Sequence, residues 1–114
     1  MTKIAVNHKD GNVFQHFGQT TEFKIYDIED GKIIKSEVVD TNGAKHQEII
    51  TFLLNQNINT VILGAMCMGA RARLMNANIQ FRSGAEGNCD EIVERFLNGT
   101  LVTEERILTS CHAH

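Results

Sequence analysis

Thr60-Val-Ile-Leu-Gly-Ala-Met-Cys-Met-Gly-Ala-Arg-Ala-Arg-Leu-Met-Asn-Ala-Asn-Ile-Gln-Phe81 is the stretch whose reading decides the fold. Thr60 to Leu63 is a short apolar run suited to a strand buried on both faces, and Gly64 stops it. Ala70 to Ala77 reads as a short Ala/Leu/Met helix. Ile79 to Phe81 is a further strand, ended by Ser83-Gly84. Strand, helix and strand in close succession form a βαβ unit, which closes on a parallel pair by a right-handed crossover.

The pattern extends in both directions. Towards the C-terminus, Asn88 begins a helix with Glu91 three residues on, the spacing of a capping box. Cys89, Ile92, Val93, Phe96 and Leu97 form its apolar stripe, and Gly99 is its expected C-cap. Towards the N-terminus, Ile49, Ile50, Phe52, Leu53 and Leu54 give residues 44–57 a helical period with one wide buried face. Lys3 to Asn7 suits a buried strand, and residues 8–20 read as a loop. Glu22 to Ile28 alternates like a half-buried strand with an irregularity near its end. Asp30-Gly31 joins it to Lys32–Val39, a strong hairpin signal. The order is β-β-β-α-β-α-β-α. It predicts an α/β domain with a mixed sheet, the first, fourth and fifth strands parallel, and helices on both faces.

With 114 residues there is chain for one domain and a self-supporting core. Residues 1–102 are expected to form that domain and residues 103–114 a flexible Cys/His tail. The net charge is −3 and Lys and Arg form no cluster, which argues against a sequence-independent nucleic-acid binder. The longest near-apolar run, Val61 to Ala70, falls far short of the ~20 residues of a membrane helix. Met1-Thr2-Lys3-Ile4 lacks the apolar region of a secretory signal, so a cytoplasmic protein with free thiols is expected.

Five histidines and three cysteines carry the candidate chemistry. His16 lies in a loop leaving the carboxyl end of the first strand, where ligands of open α/β sheets settle. Phe17 would anchor that loop and Gly18 allow a sharp turn. Gly64, Met66, Cys67, Met68 and Gly69 lie between a strand and a helix, with soft sulfur at three successive positions. A helix N-terminus there would favour the Cys67 thiolate or a bound anion. The tail offers Cys111, His112 and His114, three donors that need others, such as Cys67 or His16, to complete a metal site. Cys89 sits on an apolar stripe and is expected in the core. His8 and His46 have no assigned role. The chain has no nucleophile elbow, no CxxC and no carboxylate cluster for two metals, so no catalytic residue is expected.

The Lys3-Ile-Ala-Val6 strand, His16-Phe17-Gly18, the Tyr26-to-Gly31 hairpin, Val61-Ile-Leu-Gly64, Gly69-Ala70 and the Gly84-to-Gly99 helix region occur here in a specific order. In that order the chain resembles the dinitrogenase iron–molybdenum cofactor biosynthesis family, the NifX-like domains also found at the C-terminal end of NifB. The resemblance runs from Met1 to about Leu101. It implies a ribonuclease H-like fold without nuclease activity, and binding or carrying of an iron–sulfur or iron–molybdenum-type cluster or its precursor. It also implies a cofactor-binding role for His16 and a client or scaffold partner, with the protein itself a monomer or weak homodimer. Where relatives often have Gly and Pro after the fourth strand, this chain has Met66-Cys67-Met68-Gly69, which suggests a stand-alone cluster binder. The alternatives open from the residues alone are a Zn or Cu(I) homeostasis protein using the tail, and a small-anion or nucleotide sensor using the Gly64–Gly69 turn.

Overall fold

The computed structural model describes residues 2–17, 20–45, 47–103 and, as backbone, 106–108. His46 and residues 109–114 lie outside the described part, as do Gly18 and Gln19. The long strand β1 (Thr2–Lys9) turns at Asp10-Gly11 into the two-residue β2 (Asn12–Val13), then passes through a loop to β3 (Glu22–Glu29) and β4 (Lys32–Asp40). There follow α1 (Gln47–Asn55), β5 (Thr60–Ile62), β6 (Ala65–Cys67), α2 (Met68–Asn76), β7 (Gln80–Arg82), α3 (Cys89–Asn98) and β8 (Arg106–Leu108).

The main sheet runs β4-β3-β1-β5-β7, with β2 pairing β1 off its side. β1, β5 and β7 are parallel, while β3 and β4 are antiparallel additions. This is the mixed α/β sheet that the β-hairpin start and βαβ continuation predict. The expected hairpin turn forms at Asp30 and Gly31, whose φ values of 53° and 72° fit the turn that matches strand twist. Asp10-Gly11 repeats that geometry, with φ of 52° and 86°, and makes a second hairpin inside the segment expected to be loop. The irregularity near the end of β3 is a register shift between Asp27 and Ile28.

Alternation along the strands separates two cores. Ala5, Phe23, Ile25 and Val61 face one side, where they meet Ile49, Ile50 and Leu53 of α1 and Ala70 and Leu74 of α2. Ile4, Val6, Tyr26 and Ile62 face the other, against Cys89, Ile92 and Val93 of α3. Each large aliphatic or aromatic side chain fully buried in this way contributes about 1.5–3 kcal/mol. The third helix starts as its sequence predicts, with the Asn88 side chain accepting from the Glu91 N–H at 3.1 Å. It is also tied to the sheet through Asp90, whose carboxylate accepts from Tyr26 Oη at 2.5 Å and from Lys24 Nζ at 2.7 Å. Among the described residues, no helix is long and apolar enough to cross a membrane.

Candidate functional site

The three parallel strands share one carboxyl end, and the loops leaving it are stitched together there. Leu63 donates from its N–H to the Arg82 carbonyl at 2.9 Å, Gly84 to Gly64 at 2.7 Å, and Ala85 to Leu63 at 3.1 Å. Those bonds join the ends of β5 and β7. Over them lies the loop from β2, because the Ala65 N–H donates to the Gln15 carbonyl at 3.1 Å and His16 forms a parallel bridge with Ala65.

Gly64 allows this close approach. A Cβ built on it would sit 2.7 Å from Gln15 Cδ and Oε1 and 2.8 Å from Gln15 Cα, too near for any side chain to fit without displacing backbone. The Gln15 amide in turn donates to the carbonyls of Val13 and Ala85, both at 3.1 Å, and so locks the loop across the sheet edge. On the other side Asn7, fully buried at the end of β1, donates to the Phe14 carbonyl at 3.1 Å. Its Oδ1 accepts from Thr20 Oγ1 at 2.8 Å. Phe17 is the hydrophobic pin, stacked edge-on against Phe23 at 6.1 Å within the first core. His16 between these anchors is exposed, its ring edge-on to Phe14 at 6.1 Å.

The sulfur segment follows immediately. The sequence predicted a direct passage from strand to helix, and the structure interposes β6. Met66 and Cys67 are buried in the first core, while Met68 is 58% exposed at the first position of α2. Cys67 is the N-cap residue of that helix but makes no side-chain capping hydrogen bond. It is engaged in a disulfide, which replaces the free thiol expected at this position. Gly69 is half-buried in the first turn of α2. β8 pairs with β6 in parallel, Arg106 with Ala65 and Leu108 with Cys67, so part of the segment expected as a loose tail forms a strand beside the sulfur residues. Arg82 steers it there, donating to the Leu101 carbonyl at 3.0 Å and to Thr103 Oγ1 at 3.2 Å.

His16 and the Gly64–Cys67 segment are therefore brought together, with Phe17 as support from below. Cys111, His112 and His114 lie outside the described residues. No group of three or more His, Cys, Asp and Glu side chains able to hold a metal occurs among the described residues. The other two thiol and imidazole candidates have structural roles. Cys89 is a fully buried free cysteine, as its stripe predicted, and burial raises its pKa to about 12. His8 pairs through Nδ1 with Glu22, and its Nε2 accepts from the Gly11 N–H at 3.0 Å, holding the Asp10-Gly11 turn. The loop braces missed by sequence reasoning are Asn7, Gln15 and Thr20. An amide at the end of a buried strand was the one available signal, since a buried polar side chain needs partners.

A small mixed α/β domain, with an exposed imidazole and a sulfur-bearing turn laid together over the carboxyl ends of its parallel strands, defines the class. The family model for the dinitrogenase iron–molybdenum cofactor matches residues 1–99, and the chain belongs to that family. Among curated proteins it is similar to MJ0580 of Methanocaldococcus jannaschii, 23% identical over 89% of this chain and 90% of the relative. Among solved structures, the apo form of the orange protein from Desulfovibrio gigas is 25% identical, with a TM-score of 0.74 over 91% of this chain and 93% of its own. The crystal structure of PH0822 shares the fold with a TM-score of 0.84 at 23% identity, over 90% of this chain and 95% of that one. Family membership links the chain to handling of the iron–molybdenum cofactor at a coarse level.

Proposed function

We propose that the protein binds and carries an iron–sulfur or iron–molybdenum-type cluster, or its precursor, as cargo during metallocluster assembly, and catalyses no reaction itself. The observation that carries this reading is the bridge between His16 and Ala65, which sets an exposed imidazole beside the Met66-Cys67-Met68 turn in a chain of this family. Imidazole, thiolate and thioether together suit iron and copper–sulfur species better than hard cations. The order of the main elements and the helices on both faces support a ribonuclease H-like reading of the fold.

The tail completes the donor set in this proposal. β8 ends at Leu108 opposite Cys67, and Cys111 follows three residues later. In this proposal Cys111, His112 and His114 supply the remaining donors. Phe17, Gly18, Gly64 and Gly69 shape the backbone around the cargo, and a client or scaffold protein in the cytoplasm takes it on. Sulfur held in a disulfide is not a thiolate donor, so Cys67 ligates only after reduction.

Anaerobic reconstitution with ferrous iron and sulfide tests the proposal. The reduced full chain is expected to develop sulfur-to-iron charge-transfer absorption, and the oxidised chain to develop far less. Replacing His16 and Cys67 together with Ala is expected to abolish the signal. An undiminished signal in that double variant would sink the reading.

A further inference from the structure

β4 is the free edge of the sheet: among the described residues it pairs only with β3. It is also nearly bare on both faces, with every residue from Ile34 to Val38 exposed. Ile34 and Val38 are 51% and 49% exposed, two large aliphatic side chains left in water on a nine-residue strand. Edge strands of this length are normally protected by charges that repel a second strand, by bulges or by a covering element. Here one bulge exists, at Ile34, which is left without a partner on β3 while Ile33 opposes Ile28 and Lys35 opposes Asp27. From Lys35 to Asp40 the strand is regular.

The charges on this edge are self-complementary. If two copies of β4 lie antiparallel about Ser36, Lys35 of each opposes Glu37 of the other, and Ile34 opposes Val38. Residues directly opposite in an antiparallel pair point to the same face, so the two Lys35–Glu37 pairs meet on one face of the sheet, on either side of Ser36. A register shift by one or two residues destroys this. Sliding by two sets Lys35 against Lys35 or Glu37 against Glu37. The pattern therefore selects one register, and the resulting contact uses the same patch on both copies, as a two-fold dimer requires.

We propose that the β4 edge is a homodimer interface, formed by a second copy of this chain pairing antiparallel about Ser36 to give one continuous sheet through both molecules. The contact is small, so the dimer is a reversible one that forms with rising concentration. The site at the carboxyl ends of β1, β5 and β7 is separate from this edge, and the proposal does not depend on what that site carries.

Sedimentation equilibrium of the full chain at low ionic strength tests it. Wild type is expected to associate reversibly to a dimer, and added salt to weaken that dimer. Lys35→Glu alone and Glu37→Lys alone each turn two attractive pairs into repulsive ones, so each is expected to weaken dimerisation on the order of tenfold or more. The double variant K35E/E37K restores both pairs and is expected to dimerise like wild type. An equimolar mixture of the two single variants is expected to form heterodimers, since one copy then presents two carboxylates to two lysines. Wild type monomeric at every concentration, single reversals without effect, or a double variant that fails to recover each overturns the proposal.

Discussion

Asn7 Oδ1 accepts a hydrogen bond from Thr20 Oγ1 at 2.8 Å, while the Asn7 amide donates to the Phe14 carbonyl at 3.1 Å. One buried side chain therefore fastens both ends of the loop that carries His16. Asn7→Ala leaves the Phe14 carbonyl without this donor, while Thr20 Oγ1 keeps its bond to the Phe17 carbonyl. Unfolding in urea is expected to show a loss of about 1–3 kcal/mol. Cluster uptake in reconstitution is expected to fall by more than that loss of stability explains, because the loop loses one side-chain tie at each end.

Gly64 gives a second test of the same loop from below. Gly64→Ala puts a methyl group 2.7 Å from the Gln15 side chain and 2.8 Å from its Cα. The variant is expected to lose about 1–3 kcal/mol, the usual range for overpacking. Gln15→Ala in the Gly64→Ala background removes the first clash and leaves the second. Partial recovery of thermal stability is therefore expected, and full recovery would place the strain in the side chain alone.

Cys89 predicts the alkaline limb of stability. Desolvation by burial is the main cause that raises its thiol from 9.0 to about 12. Above pH 9 the unfolded chain releases this proton while the folded chain holds it, so stability is intact below pH 9 and drains away as pH rises towards 12. The loss is on the order of a few kcal/mol when complete. Cys89→Ala is expected to have a lower Tm at pH 7 and a flatter decline between pH 9 and 12, measured by circular dichroism. Parallel declines in the two proteins would assign the alkaline transition elsewhere, Tyr26 being the other buried group whose pKa is raised.

The acid limb includes Asp90. Its hydrogen bond from Lys24, then that from Tyr26, hold its carboxyl below the usual 3.8. A depressed folded pKa stabilises above the unfolded value and ceases to do so as pH falls through the folded one. Asp90 is largely solvent-exposed, so the effect is a modest one. The Tm difference between wild type and Asp90→Asn is expected to be present near pH 6 and to shrink steadily below pH 4. A difference that is independent of pH would remove the charge from the explanation.

What was legible in the sequence followed from local rules. Asn88 and Gly99 mark the ends of α3 because capping chemistry acts within one turn, and Cys89 is in the core because its helical period places it there. Asp30-Gly31 was readable since two clear strands flank it. Asp10-Gly11 has the same chemistry, but β2 is only two residues long and shows no period of its own. β6 was hidden because its partner β8 is remote in sequence, and a three-residue strand is not defined until it is paired. Asn7 and Gln15 escaped for a related reason. Their partners, Thr20 and Ala85 among them, reach them only after the loops have folded over the sheet edge, and no spacing encodes that meeting.

The pairing of β8 with β6 also separates grip from foldedness. Three residues of parallel backbone join β8 to the sulfur segment, whose Met66 and Cys67 belong to the first core. That strip is a two-stranded sheet separate from the main one, so parting it breaks no hydrogen bond between strands of the main sheet. If the protein carries a cluster as proposed, releasing a load held beside β6 would require parting only those three residue pairs, and the main sheet that positions His16 would keep its strand pairing.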